Sequence, residues 1–434
     1  MPIRYVEGIK QARISIKTIN PLEAIDLNQT TSSKQIYESV TKILQETKLH
    51  GDSAVKKHSK IFDKVDLKSL KVTKKTIENA YKSIPKTVIS ALEIARDRIR
   101  NYHEKTMPPI KTSVGKDITI INNPLEHVGL YAPGGKAAYP STVLMIGIPA
   151  QVAGVKNIVL CTPPSNNGNP EDSTLVAADI IGITNIYKIG GVQAIGAMAF
   201  GTETIPKVDK ICGPGNMFVT IAKKEVIGNV DIDGIFGPTE TVIIADETTN
   251  PSICAADLIA QAEHDELASP ILLTTSRSLA ENVKKELAKQ ITNLKKQAII
   301  EKSLENQGLI ALVQNVSEAI TLANEIAPEH LCLLVKTPEI YLNKLKNAGG
   351  IFVGEYSPEV LGDYIAGPSH VMPTGGTARY RSCLGVYDFI KSTPIVKITK
   401  SGYQDLAKTA EIIANAEGLT GHASALSIRK ILNK

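Results

Sequence analysis

The chain reads as an α/β protein built on parallel sheet, and two observations carry that reading. Short β-branched or apolar runs recur at NIVLCT from Asn157, TVIIAD from Thr241, ILLTTS from Ile271, LIALV from Leu309 and LCLLV from Leu331, with helix-like segments between them. Strands that are apolar throughout are buried on both faces, and regular strand–helix alternation joins them in parallel. The 434 residues suffice for several domains of roughly 100 to 200 residues each.

Taken in order, Ile36, Val40, Ile43 and Leu44 mark an amphipathic helix, with Ser32 and Gln35 as its capping box and Gly51 as its stop. More helix follows to Tyr102, interrupted near Pro85, and Pro108-Pro109 turn the chain. From Ile118 the strand–helix alternation takes over, with PPSNNGNPED at 163–172 as a surface loop. The stretch from Ser357 to Arg379, containing GDYIAGPSH and PTGGTARYRS, is long and irregular, as functional loops are. The C-terminal part returns to apolar helix, broken at Gly418-Leu419-Thr420-Gly421, and this appendage needs something to pack on, such as a partner subunit.

Composition excludes several classes of function. Lys and Arg total 49 against 44 Asp and Glu, a net charge of +5 with no single-sign block, so no nucleic-acid stripe is present. The longest apolar stretch, Val143 to Ala150, falls far short of the ~20 residues a membrane helix needs. The N-terminus MPIRYVEGIKQARISIK lacks the apolar core of a secretory signal, which predicts a cytoplasmic protein. Cys161, Cys212, Cys254, Cys332 and Cys383 are odd in number and form no CxxC pair, against a disulfide framework or a thiolate metal site.

Several segments carry chemistry. GLYAPGGKAAYPST (129–142) is a strand end, a Gly134-Gly135 turn and a helix capped by Ser141, a shape that brings a ligand to backbone N–H groups. KIGGVQAIGAMAFG from Lys188 and ICGPGNMFVTIAKKEV from Ile211 repeat the strand–glycine turn–helix pattern, and two such turns at one sheet edge suit a dinucleotide. The GxGxxG fingerprint is absent, because Phe218 stands where its third glycine belongs. In NPSICAADLIAQAEHDELAS, Asn250 caps a helix with Pro251 at its first position, and Asp257, Gln261 and His264 share one face. Such a stripe is a solvated face or, alternatively, Gln261 and His264 are a ligand pair for one metal. Glu329 and His330 precede an apolar strand, an acid and an imidazole suited to proton transfer, although a surface pair would read the same. Asp363, Glu417 and His422 sit in marked turns; His264, His422, Asp363 and Gln261 together supply the N and O donors that zinc accepts, a set that spacing alone does not assemble.

GLYAPGG, GGVQAIGAMAFGT, GPGN, GPTE, AQAEHD, APEHL, GDYIAGPSH and EGLTGHA, in that order from about residue 30 to 430, resemble the histidinol dehydrogenase family. The resemblance implies a zinc- and NAD-dependent enzyme that oxidises L-histidinol to L-histidine through the aldehyde, reducing two NAD⁺ at the end of histidine biosynthesis. It implies one Zn²⁺ per subunit on Gln261, His264, Asp363 and His422, and an acid–base pair at Glu329 and His330. Substrate contacts fall on Thr239, Gln261, His264, His330, Asp363, Glu417 and His422, and NAD contacts on Tyr131, Gln193 and Asn216. The implied fold is two incomplete Rossmann-like domains, aldehyde-dehydrogenase-like, with helical N-terminal and C-terminal appendages. The expected division is an N-terminal helical segment at 1–25, a larger α/β domain from 26–130 and 240–380, an NAD-binding domain at 131–239 and a tail at 381–434. The resemblance also implies a homodimer that exchanges this tail.

The residue types suit the chemistry. Neutral imidazole at His330 can take the hydroxyl proton as hydride leaves, and Glu329 can activate water to hydrate the aldehyde. Zinc has no redox role, so it would hold the substrate's imidazole and amine. Two features depart from or complicate this reading. Thr239 stands where the family often has Ser, and Cys212 beside GPGN raises a thiohemiacetal alternative, with burial as a packing thiol the plainer reading.

Overall fold

The structure is a computed structural model that describes residues 3–16, 31–134 and 138–431. It comprises two compact units, a large one (Met1–Met107 and Leu125–Phe389) and a small one (Pro108–Pro124 and Ile390–Lys434). The strands in chain order are β1 (Arg4–Glu7), β2 (Lys111–Val114), β3 (Ile118–Pro124), β4 (His127–Tyr131), β5 (Asn157–Cys161), β6 (Asn185–Tyr187) and β7 (Lys210–Cys212). There follow β8 (Asp231–Ile232), β9 (Glu240–Ala245), β10 (Ser269–Thr274), β11 (Leu309–Leu312), β12 (His330–Leu334), β13 (Gly350–Val353) and β14 (Ile390–Val396).

The large unit holds two parallel sheets, β6-β5-β4-β7-β8 and β1-β11-β10-β9-β12-β13. In each, the strand order reverses beside a central strand, between β4 and β7 in one and between β9 and β12 in the other. Both therefore have the strand order of a dinucleotide-binding half-domain, with its crevice at the reversal. All five apolar runs read from the sequence are strands, and β9 and β10 are buried along their whole length. The Val143–Ala150 run lies inside the helix Pro140–Val152, buried in protein. Among the described residues no helix is long and apolar enough to cross a membrane.

Helices Thr31–Phe62, Lys74–Ser83 and Lys86–Thr106 fill the early chain, with Pro85 as N-cap of the last. Gly51 does break the first of them (φ 49°, ψ −131°). A Cβ there would lie 2.3 Å from Glu203 Oε2, the oxygen that accepts from Asp52 N–H at 2.7 Å.

The side chains of residues 31–33 lie outside the described residues, and the Ser32–Gln35 capping box with them. Three expectations need correction. The N-terminal piece carries strand β1 before its helix Ile9–Ser15, because β1 gains its hydrogen bonds from β11, some three hundred residues away, which no local pattern announces. Ser141 does not cap the helix Pro140–Val152; Tyr139 is N-cap, and Pro140, with its preset φ and missing N–H, takes the first position. The tail unit starts at Ile390 rather than at 381 and takes in 108–124, because β14 pairs antiparallel with β3 and β3 with β2.

The small unit completes itself with helices Lys400–Ala416 and Thr420–Ile431, which break where the glycine-rich turn predicts. The Tyr403 hydroxyl donates to the Leu426 carbonyl, and Ser427 Oγ donates to Glu411 Oε1 at 2.7 Å, tying the two together.

Candidate active site

The site begins with the way the chain enters β12. The helix Val316–Ile326 ends at Ala327 in the left-handed region (φ 53°, ψ 60°), and Pro328 prevents it from continuing. Gly349 N–H donates to Pro328 O and Gly350 N–H to Glu329 O, both at 2.9 Å, so Glu329 and His330 are clamped at the amino end of β12. Beside them β9 begins, with His330 in register with Thr241. Thr239 Oγ1 donates to Glu329 Oε2 at 2.5 Å, and Glu240 N–H reaches the same oxygen at 3.3 Å.

Around His330 the carboxylates gather. Its Nδ1 lies 3.8 Å from Glu329 and its Nε2 3.7 Å from Asp363. Neither ring nitrogen, both buried, has a hydrogen-bond partner among the described residues. Burial opposes the charged ring, but Glu329, Asp363 and Glu359 outweigh it and push His330 up to about 10. The imidazolium is thus the favoured form in the protein alone, against the neutral ring expected, because three acidic neighbours surround it. Burial raises the Glu329 carboxyl, while the His330 charge and the Thr239 hydroxyl hold it down in part. Glu240 is pushed to about 8 by burial and by Glu329, and Glu359 to about 7 by burial.

Gln261 and Asp257 lie on the helix Pro251–Ala262, which Asn250 caps by accepting from Ser252 N–H, with Pro251 at its first position. Their face is not solvated: both side chains are buried, with burial raising Asp257 to about 6. Gln261 donates to Glu359 Oε1 at 3.0 Å and accepts from Glu240 N–H at 2.9 Å. Glu359 in turn accepts from Thr241 Oγ1 at 2.6 Å. His264 follows on the turn after that helix, exposed and lining the cleft, and desolvation lowers its pKa against the pull of Asp363. Asp363 sits in a short helix, Glu359–Tyr364, within the stretch read as irregular. Burial opposes its charge, but His330 prevails and holds it below the usual carboxylate range. An ionised Asp363 and a neutral His264 are the forms a divalent cation requires of its donors, so this chemistry fits a metal. Among the described residues, no group of three or more His, Cys, Asp or Glu side chains is already arranged to hold one.

The same cleft, about 1180 Å³, is lined on its other side by the carboxyl ends of β4 and β7. Tyr131 ends β4, buried, its hydroxyl accepting from Gly191 N–H at 3.1 Å. After β7 comes Gly213 at φ 127°, where a Cβ would lie 2.0 Å from Tyr131 O, so only glycine fits between the two strands. Asn216 then caps the helix Met217–Glu225 by accepting from Val219 N–H at 3.1 Å. Tyr131, Gly134 and Asn216 line the cleft; Gly135 lies outside the described residues. The turns after β6 and β7 are not neighbours as expected, since β5 and β4 stand between them. The turns that adjoin are those after β4 and β7. Gln193 is buried in the helix Gly191–Phe200, its Nε2 without a partner among the described residues.

The histidinol dehydrogenase family profile matches residues 27–430. The chain belongs to the histidinol dehydrogenase family. It is 46% identical over 410 residues to the histidinol dehydrogenase of Oceanobacillus iheyensis, covering 93% of this chain and 95% of that one. With that of Dehalococcoides mccartyi strain CBDB1 it shares 50% over 393 residues, covering 90% and 89%. The crystal structure of histidinol dehydrogenase from Elizabethkingia anophelis superposes with a TM-score of 0.93 at 37% identity, covering 100% of this chain and 99% of that one.

Of the positions implied by the histidinol dehydrogenase resemblance, the large unit brings Thr239 and Gln261 to Glu329, Thr239 bonded to it directly and Gln261 through the shared Glu240 N–H, with His330 beside Glu329 and Asp363. Glu417 and His422 belong to the small unit, Glu417 as C-cap of Lys400–Ala416 and His422 early in Thr420–Ile431. Cys212 is fully buried, and burial drives its pKa well above that of a free thiol, which disfavours the thiolate that a thiohemiacetal needs. Sequence reasoning missed Glu240 and Glu359, and placed His370 in a marked turn without giving it a part. His370 Nδ1 meets Asp363 O at 2.8 Å and its Nε2 meets Thr142 Oγ1 at 3.2 Å. GPTE offered a signal for Glu240, and GPSH one for His370; Glu359 had none, because a glutamate after proline reads as a helix start.

Proposed function

We propose that this chain is an NAD-dependent oxidoreductase that converts L-histidinol to L-histidine in histidine biosynthesis, through L-histidinaldehyde and with two NAD⁺ reduced. The observation that carries the reading is the Glu329–His330 pair, buried among carboxylates in the same cleft as the β4 and β7 turns. His330 takes the hydroxyl proton, and the acidic neighbours stabilise the imidazolium that results. Glu329, oriented by Thr239, then removes a proton from the water that hydrates the aldehyde. The methyl that distinguishes Thr239 from serine leaves its hydroxyl in place for that contact.

Gln261, His264 and Asp363, with His422, are the residues that would hold Zn²⁺. Zinc would supply an attachment point for the substrate's imidazole and amine, and NAD⁺ the hydride acceptor. With Zn²⁺ held by Asp363, part of the acidic charge on His330 would be offset, and its ring would return toward the neutral base form. Tyr131, Gln193 and Asn216 are the cofactor contacts, on the 131–239 domain; Thr239, Gln261, His264, His330, Asp363, Glu417 and His422 are the substrate contacts. In this reading the protein is a cytoplasmic homodimer that exchanges its tails, so the partner subunit's Glu417 and the partner subunit's His422 complete each site. Leu406, Ile412, Ile413 and Ile428 support an exchanged tail, since each is more than half exposed on the C-terminal helices.

The test is NADH formation with L-histidinol before and after chelation, counted against histidine formed. Two NADH per histidine, lost on chelation and restored by zinc, is the expected result; one NADH with free aldehyde removes Glu329 from its role. Mixing His422→Ala subunits with Glu329→Gln subunits regains activity if tails are exchanged and stays inactive if they are not.

A further inference from the structure

Beneath the Gly213 turn lies a buried ion pair that the chemistry above does not use. Lys223, in the helix Met217–Glu225, and Asp233, just after β8, form a close salt bridge with side chains 2% and 0% exposed. Both hold the same glycine. Asp233 Oδ2 accepts from Gly213 N–H at 2.6 Å, and Lys223 Nζ donates to Gly213 O at 2.9 Å. Lys223 Nζ also lies 4.8 Å from the centre of the Phe236 ring, and Arg381 Nη1 donates to the Asp233 carbonyl at 2.6 Å, pinning the acid's own backbone. Pro214, Gly215, Asn216 and Phe236 line the cleft.

A buried ion pair holds a fold no better than apolar side chains of similar volume, because desolvating two charges cancels much of their attraction. What these ions provide that apolar groups would not is a bond to each polar group of one residue. β7 ends at Cys212, so the N–H and C=O of Gly213 lie past its ladder, and the side chains of Lys223 and Asp233 satisfy them instead. We propose that Lys223 and Asp233 are positioning residues for the cofactor, setting the Gly213-Pro214-Gly215-Asn216 turn in its binding shape before the dinucleotide arrives. The gain is the ordering cost that binding would otherwise meet. This rests on the reading that NAD⁺ occupies the carboxyl ends of β4 and β7.

The test replaces the pair by apolar side chains, Lys223→Met with Asp233→Leu, in the full-length protein, and measures KM for NAD⁺, KM for L-histidinol and the thermal midpoint. The expected result is a KM for NAD⁺ raised tenfold or more, with KM for L-histidinol within twofold and the midpoint within a few degrees. An unchanged KM for NAD⁺ in a folded double variant overturns the proposal, as does a parallel rise in both constants with a lowered midpoint. Should the double variant fail to fold, hydrogen exchange of the unaltered protein decides. Slow exchange at Gly213 before NAD⁺ is added supports a preset turn, and fast exchange that slows only with NAD⁺ overturns it. If the unaltered protein binds no NAD⁺, the cofactor reading itself fails and takes this proposal with it.

Discussion

The two parallel sheets of the large unit share a strand order but offer opposite ends to the cleft. The sheet of β4 and β7 presents carboxyl ends, where glycine turns lead into the helices Pro140–Val152 and Met217–Glu225. The sheet of β9 and β12 presents amino ends, where the helices Pro251–Ala262 and Val316–Ile326 finish. One half of the cleft therefore faces helix N-termini, whose partial positive charge and free N–H groups suit an anionic cofactor. The other faces helix C-termini and the acidic side chains of Glu329 and Asp363, which favour cations: an imidazolium, an ammonium or a metal. The same topology thus gives a binding half and a chemical half, according to which end of the sheet is used.

Substitutions can test that division. The largest effect is expected at His330: His330→Asn removes the proton acceptor and lowers kcat by roughly 10²- to 10⁴-fold, the usual range for acid–base groups. If NAD⁺ affinity fell with it, the two halves would not be independent. Chelation comes next, with activity lost and NADH binding, followed by fluorescence, kept; loss of NADH binding on chelation would place metal and cofactor in one half. On the other side, Asn216→Ala deletes a helix cap, which costs about 1 kcal/mol. It should raise KM for NAD⁺ several-fold while KM for L-histidinol stays put, a split that steady-state kinetics reads directly.

A subtler effect is a pH slope. Burial and Glu329 raise Glu240 in the fold to about 8 from 4.5, so its protonated form is the stable one. That contribution is full below the unfolded value and is lost as pH rises through the folded value. Thermal midpoints of the chelated protein should therefore fall between about pH 5 and pH 8, and Glu240→Gln should flatten that fall. An identical slope in the variant would remove Glu240 as its source. The smallest effect is expected at Cys212, where Cys212→Ala should leave turnover within about twofold, as a buried thiol with no catalytic part requires; a large loss would revive the thiohemiacetal route.

The strands were legible because parallel strands buried on both faces must be apolar throughout, and the runs at Asn157, Thr241, Ile271, Leu309 and Leu331 are. Asn250 and Pro251 were legible for the same local reason, since capping involves only neighbours in the chain. β1 was not, because its partner β11 is distant in sequence. The polar stripe of Asp257 and Gln261 misled, because periodicity marks a face but not what covers it.

Residue types and spacing, by themselves, determined the parallel α/β class, the segments able to carry acid–base and ligand chemistry, and the family to which their order belongs. Tertiary structure alone decided which end of each sheet meets the cleft. It also decided that Glu240 and Glu359 join the carboxylates near His330, and that Cys212 is sealed away from the chemistry. The reason is physical: periodicity and capping act between chain neighbours, whereas charge, burial and pKa depend on groups that only the folded chain brings together.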